Sequence, residues 1–312
     1  MDPGDKPRDD SVAKVGPAPL LMGAMTAQPA NPSFILKLSC PDRRAIVLSV
    51  SRFLAEQGCN ILDSAQFGDR DNGRFFLRVS FQSEAGRSGP ELSQGFTPLA
   101  AEFAMDWSLH DATAKTRTLI MVSKSGHCLV DLLYRHRIGA LPIEIQMIVS
   151  NHRDFADVAA AHGIPFRYLP VTKENKHHQE AALRAIIKDE RIELVVLARY
   201  MQILSAEFSD AMSGRIINIH HSFLPSFKGA QPYTQAHDRG VKLIGATAHY
   251  VTEDLDEGPI IEQAVERVSH AQSPADLSAI GRDIENVVLA RAVKWHAEHR
   301  VLLNGRRTVV FY

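Results

Sequence analysis

An amide, an imidazole and a carboxylate are the groups in this chain most able to do chemistry together. Asn218 and His220 lie two apart in Arg215-Ile216-Ile217-Asn218-Ile219-His220, a stretch that reads as a strand. Their side chains therefore share one face, and Ile217 and Ile219 take the other. Two polar side chains at a strand's end need partners or a substrate. Asp256 lies in an acidic loop, Thr252-Glu253-Asp254-Leu255-Asp256-Glu257-Gly258-Pro259, after a strand over residues 245–251. These types suit a general base, a general acid or oxyanion stabiliser, and a carbonyl-orienting donor. On residue types alone two blander readings stand beside this one: Asn218 and His220 as a satisfied turn pair, and the acidic loop as a solvated hairpin.

The elements that must position these groups come from periodicity. Residues 118–123, 143–149, 165–169 and 194–198 read as strands, and 127–137, 155–162 and 180–189 as helices. This alternation implies an α/β domain, Rossmann-like, with a mostly parallel sheet and helices on both faces. Ligands in such sheets bind beyond the carboxyl ends of the strands. A last helix begins at Ser273-Pro274, an N-cap and first-turn pair.

Upstream, residues 34–38 read as a strand, and Ile46, Val47, Val50, Phe53 and Leu54 mark a helix closed by Gly58. Strands follow over 60–67 and 74–82, around a turn at Asp69-Arg70-Asp71-Asn72-Gly73. In the second, Phe75, Leu77, Val79 and Phe81 share one face, with Arg74, Arg78 and Gln82 on the other. Thr97-Pro98 reads as the start of a short helix, and Met105, Trp107 and Leu109 as a last strand. The order βαββαβ is that of a ferredoxin-like sandwich. Three segments are thus expected: a poorly ordered tail over 1–33, a first domain over 34–112 and a second over 117–312.

Composition limits the classes of function. The 312 residues are 45% hydrophobic and 23% charged, with a formal net charge of −1. That balance gives no global basic excess for nucleic acid or an anionic membrane. No apolar run approaches the ~20 residues of a membrane helix, and no basic-then-apolar leader opens the chain. Cys40, Cys59 and Cys128 form no CxxC pair, so a disulfide framework and a Cys-ligated zinc are unsupported. A reducing, cytoplasmic location is expected.

Longer strings carry a resemblance. Asn218-Ile219-His220, then Ser222-Phe223-Leu224-Pro225, then Leu255-Asp256-Glu257-Gly258-Pro259, resemble the formyltransferase-fold family that uses 10-formyltetrahydrofolate. The resemblance implies Asn218, His220 and Asp256 as the catalytic triad. It implies a pterin pocket lined by Tyr200, Met201, Gln202 and Leu204 on one side and Val251, Thr252, Glu253 and Asp254 on the other, with His249 in support. Gly229 either lets the loop after Pro225 close over the pocket or is simply a turn glycine. The first domain, through Asp42-Arg43 and Gly58-Cys59-Asn60, resembles an ACT domain, a module that pairs with its own copies and often senses small amino acids; a plain dimerisation module with no ligand is the equal alternative.

That pairing of domains, with Ile217 to Pro225 and Gly240 to Val251, is most similar to the hydrolytic branch of the family. The resemblance covers about residues 34–311. It implies release of formate from 10-formyltetrahydrofolate, which would balance the folate pool and supply formate for purine synthesis. Folate is then the substrate, with no cofactor and no metal; the partners are that small molecule, an amino-acid effector at the first domain and further copies in a homo-oligomer. Ser123-Lys124-Ser125-Gly126-His127-Cys128-Leu129 lacks the Gly-Ser-Asn loop by which relatives acting on a phosphate-bearing amine hold the phosphate, which fits water as acceptor. Formyl transfer to such an amine, glycinamide ribonucleotide, and a non-catalytic sensor are the alternatives.

Other features offer less. His296 and His299 are read as a solvated helix end and His177-His178 as loop. No GxGxxG follows the first strand, and there is no Walker motif.

Overall fold

In the computed structural model, which describes residues 31–225 and 232–312, the chain first builds β1 (Ser33–Pro41), α1 (Ile46–Glu56), β2 (Cys59–Asp69), β3 (Arg74–Ser83), α2 (Gly89–Glu102) and β4 (Asp106–Asp111). Their sheet has the order β2-β3-β1-β4, and every pairing is antiparallel. Leu36, Leu38, Leu77, Val79 and Phe81 on its inner face pack with Val50 and Leu54 of α1 and Leu92 and Phe96 of α2. Gly58, at φ +69°, ends α1 as expected. The helix expected to start at Thr97-Pro98 begins instead at Ser88, whose hydroxyl and Glu91 form a capping box. Pro98 lies inside it, where Thr97 Oγ1 donates to the Ser93 carbonyl at 2.9 Å. The tail expected over 1–33 lies outside the described residues except for its last three.

A second sheet follows. It is built from β5 (Thr116–Val122), α3 (His127–Arg137), β6 (Ile143–Ser150), α4 (Ala156–Ala161), β7 (Phe166–Tyr168), α5 (Lys176–Asp189), β8 (Leu194–Leu197), α6 (Ala206–Ala211), β9 (Ile216–His220), α7 (Pro232–Asp238), β10 (Leu243–Tyr250), β11 (Ile260–Arg267) and α8 (Pro274–Ala297). Its seven strands run β11-β10-β9-β8-β5-β6-β7. The five from β9 to β7 are parallel, and β10 and β11 are antiparallel. Alternate residues feed two cores. Ile120, Val196, Ile217 and Ile219 pack with α3 and α8; Leu119, Val195, Leu197 and Ile216 pack with α5 and α6. His177 and His178, expected in a loop, belong to the first turn of α5.

The chain ends in a hairpin that periodicity did not reveal, β12 (Val301–Asn304) and β13 (Arg307–Val310). It covers the outer face of the first sheet. Phe76, fully buried, packs there with Leu302, Val309 and Phe311. Arg78, expected on a polar face, is buried as well and donates to Asp63 at 3.0 Å and to the Glu298 carbonyl at 3.1 Å. Asp69 accepts from Asn304 at 2.7 Å and Arg307 at 2.9 Å.

The end of α8 docks on the same face. The His299 ring stacks on His110 of β4 with centroids 3.6 Å apart, and His296 Nδ1 lies 2.7 Å from the Tyr250 hydroxyl. Burial, with Lys37 adding to it, pushes His110 down to about 4 and His296 to about 3. The reading of His296 and His299 as a solvated helix end is therefore wrong; a sheet face the local pattern could not foresee covers them. Residues 31–312 cluster as one compact unit.

Candidate active site

β9 ends the series of parallel strands, and β10 lies beside it with His249 opposite Asn218 and Thr247 opposite His220. Cross-strand partners share a face, so the register sets Asn218, His220 and His249 side by side. Asn218 Nδ2 lies 3.2 Å from His249 Nε2, and His249 Nδ1 lies 2.9 Å from the Tyr250 carbonyl. A carbonyl only accepts, so Nδ1 donates to it, and Nε2 faces the Asn218 amide and the Asp256 carboxylate. The amide nitrogen has an N–H to offer another acceptor.

Thr247 pins the strand's exit. Its hydroxyl donates to the Ser222 carbonyl at 2.9 Å and accepts from the Leu224 N–H at 3.1 Å. The loop over residues 251–259 folds across the same face and delivers Asp256, whose Oδ2 lies 3.2 Å from His220 Nδ1 and Oδ1 3.6 Å from His249 Nε2. Gly258 allows that path: a Cβ there would stand 1.7 Å from the Tyr250 carbonyl oxygen. Burial raises the Asp256 carboxyl, but the hydrogen bonds from His220 and His249 and their positive charge outweigh it, and the net shift is well below the usual carboxylate range. His220 is 5% exposed, and its Nε2 has no hydrogen-bond partner. One imidazole nitrogen is thus held by a carboxylate and the other left for a ligand.

These groups line a cleft of about 740 Å³, ample for a small-molecule substrate. Of the residues expected at a pocket, Tyr200, Met201, Gln202 and Leu204 form one wall and Val251, Thr252, Glu253 and Asp254 the other, with His249 between. Tyr200 is buried, and its hydroxyl accepts from Gln179 at 3.3 Å; Met201, Ile203 and Leu255 are exposed apolar side chains at the same cleft. Gly229 lies outside the described residues.

The sequence reading missed a second lobe of this cleft, lined by Ser125, His127, Arg199, His221, Tyr233 and Glu285. Glu285, 1% exposed on α8, lies 2.8 Å from His127 Nε2, accepts from the Tyr233 hydroxyl at 2.8 Å and stands 3.5 Å from Arg199 Nε. Burial raises its carboxyl, but His127, Arg199 and Tyr233 together hold it below its ordinary value. Burial, with Arg199 and His220 adding to it, pushes His221 down to about 4. The readable signal was a carboxylate inside the apolar stripe Gly281, Glu285, Val288, Leu289, Ala292.

Among the described residues His127, Cys128 and Glu285 bring three metal-ligand types within 4.8 Å of one another. Burial pushes the Cys128 thiol well up, whereas a ligating thiol must lose its proton. Arg199 already faces the same carboxylate. The group therefore fits an ion-pair cluster better than a metal site.

An amide, an imidazole and a carboxylate across β9, β10 and the 251–259 loop, in a cleft at one end of a mostly parallel sheet, define a formyl-transfer type of domain. The chain matches the formyl transferase family over residues 116–293. It is 51% identical over 280 residues to the formyltetrahydrofolate deformylase of Corynebacterium sp. strain P-1, covering 88% of this chain and 97% of that protein. The crystal structure of formyltetrahydrofolate deformylase from Burkholderia mallei superposes with a TM-score of 0.87 at 52% identity, covering 91% of this chain and all of that one. The glycinamide ribonucleotide transformylase of Symbiobacterium toebii aligns at 30% identity and a TM-score of 0.60, over 64% of this chain and 95% of its own. The chain belongs to the formyltetrahydrofolate deformylase family.

Proposed function

We infer that the protein hydrolyses 10-formyltetrahydrofolate to formate and tetrahydrofolate, and that Asn218, His220 and Asp256 do the chemistry. The observation that carries the reading is Asp256 bridging His220 and His249 beside the Asn218 amide. The pterin takes the cleft between 200–204 and 251–256, where exposed Met201 and Leu255 offer apolar contact. Asn218 N–H and His220 Nε2–H donate to the formyl oxygen, and Asp256 holds the positive charge on His220 and orients the attacking water. Water adds its oxygen to the formyl carbon, the C–N10 bond breaks, and the proton from water ends on N10. No step as written uses a cofactor.

Incubation of the purified protein with 10-formyltetrahydrofolate and no added acceptor tests this. Stoichiometric formate and tetrahydrofolate are expected; their absence sinks the reading. Formyl transfer to glycinamide ribonucleotide has less support, since the transformylase likeness spans 64% of the chain. A sensor with an inert catalytic half would have no reason to keep Asp256 on both rings.

Residues 34–112, in this reading, form an ACT-like module that joins copies into a homo-oligomer and takes a small amino acid, while 117–312 do catalysis. The βαββαβ order and the exposed Leu62 and Phe67 on edge strand β2 support it. Light scattering with and without glycine or methionine tests both parts; an invariant monomer rejects them. The proposed setting is the cytoplasm, with the formate feeding purine synthesis. No helix among the described residues is long and apolar enough to cross a membrane.

A further inference from the structure

His249 sits at an irregular point of its strand. The register of β10 against β11 shifts between Ala248 and His249, and such a bulge disrupts the ladder locally and re-aims a side chain. Tyr250, the next residue and the last of β10, supplies the anchor. Its carbonyl accepts from His249 Nδ1 at 2.9 Å, its N–H donates to the Pro259 carbonyl at 2.9 Å, and Gly258 lies against the same Tyr250 carbonyl. The main chain of one residue thus fixes both the His249 ring and the base of the loop that carries Asp256. Successive side chains of a strand take opposite faces, so the Tyr250 ring points away from His249. It is 4% exposed, and its hydroxyl lies 2.7 Å from His296 Nδ1 in the last turn of α8.

That turn is held in its own right by the first sheet. Arg78 of β3 donates to the Glu298 carbonyl at 3.1 Å. His299 adopts φ +54°, the left-handed conformation usually left to glycine after a helix end. The histidine there stacks on His110 of β4, whose Nε2 lies 2.8 Å from Ser108 Oγ on the same strand. A continuous path therefore runs from His110 through His299, the end of α8, His296 and Tyr250 to His249. None of the rings from His110 to Tyr250 lines the cleft, so an effect of theirs on turnover has to pass through His249 and the Asp256 loop.

We propose that Tyr250 and His296 are positioning residues for the hydrolysis: they pin the His249 ring and the Asp256 loop to the end of α8, and the first sheet holds the far end of that pin through His299. The inference rests on the hydrolytic reading above and adds to it the route by which the first domain bears on the chemistry.

The test is steady-state formate release by the full-length chain and its variants. Tyr250→Phe keeps the buried ring and loses one hydroxyl; His296→Leu removes the partner. Each is expected to lower kcat by about tenfold, short of the roughly 10²-fold that a 1 Å misplacement costs, with KM within about twofold of wild type. His296→Asn, which sets an amide where Nδ1 stood, should keep at least about half of the wild-type kcat, the bond being restored. The double variant Tyr250→Phe with His296→Leu should be no slower than either single one, because both cut the same contact. His299→Asn tolerates the left-handed backbone but gives up the stack on His110. It should lower kcat by about threefold in the wild-type background and not at all once Tyr250 is Phe. General loosening of the structure would give losses that add. If Tyr250→Phe does not fold, the His296 variants decide. Wild-type kcat in both Tyr250→Phe and His296→Leu overturns the proposal, as does a loss confined to KM, an additive double variant, or an equal effect of His299→Asn in both backgrounds. The nitrogen NMR resonances of the His249 ring give a readout that needs no turnover. They should move in Tyr250→Phe and in His299→Asn, and unmoved resonances overturn the proposal. Failure of wild type to release formate would instead sink the hydrolytic reading, and the His249 resonances would still report on the pin.

Discussion

Asp256 adopts φ +58°, a left-handed conformation that aspartate and asparagine tolerate better than most side chains. That backbone turn aims its carboxylate at two imidazoles at once. Asp256→Asn keeps the tolerated conformation but cannot hold charge on His220, so circular dichroism should be unchanged while kcat/KM falls by about 10²-fold or more. Asn218→Ala should cost about 10²–10³-fold in kcat through one lost oxyanion donor, and His220→Ala should remove most turnover. Normal formate release by either the Asp256 or the His220 variant would refute its assigned part. Because the Asp256 carboxyl lies below its unfolded-state value of about 3.9, its pairing stabilises the fold above that pH and is lost only as pH falls towards the folded value. An acid limb of the rate profile nearer neutrality therefore belongs to another group. Asn218, His220 and Asp256 were legible because their local strings are distinctive. Glu285 was not, because a single carboxylate in a long helix shows its burial only once Arg199, His127 and Tyr233 arrive from other elements.

Among the elements, the pairing of β9 with β10 and the loop that follows β10 decide the geometry. The register fixes His249 against Asn218, and Gly258 lets the loop lie against the Tyr250 carbonyl with no side chain between. Gly258→Ala should push the loop away, carrying Asp256 off its partners. A displacement of about 1 Å at a catalytic group can cost about 10²-fold; kcat should fall on that scale with secondary structure retained, and full activity would show that the loop is not held this way. The strands and helices around the second sheet were readable because buried parallel strands and amphipathic helices leave strong periodic marks. The start of α2 was misread because Thr97-Pro98 mimics a helix entry, while the capping box at Ser88 lay further upstream. The β12–β13 hairpin escaped notice because its short strands are explained by what they cover, the outer face of β3. Phe76 on that supposedly polar face was the one local hint.

At the scale of the molecule, the first sheet meets the end of α8 through His110, His296 and His299, with Lys37, Arg78 and Arg215 as the surrounding cations. Folded-state values below the unfolded histidine value of about 6.5 mean that the unfolded chain takes up protons first. Stability should be full above about pH 6.5 and fall as pH drops towards 4, so melting temperature should decline between pH 7 and 5. Replacing His110 and His299 with glutamine should flatten that decline; an unchanged slope would place the pH sensitivity elsewhere. Phe76→Ala, which empties the cluster of Leu302, Val309 and Phe311, should cost about 3–5 kcal/mol in denaturant unfolding, and a loss under 1 kcal/mol would deny the hairpin this structural weight.

The hairpin has a practical corollary. Because the last strands of the chain roof a sheet made from its first strands, neither half owns a finished exterior. A fragment cut near residue 113 would bare Phe76 and Arg78 on one piece and leave Leu302 and Phe311 without a floor on the other, so effector studies are better done by silencing Asn218 or Asp256 within the intact polypeptide than by expressing the amino-terminal portion alone.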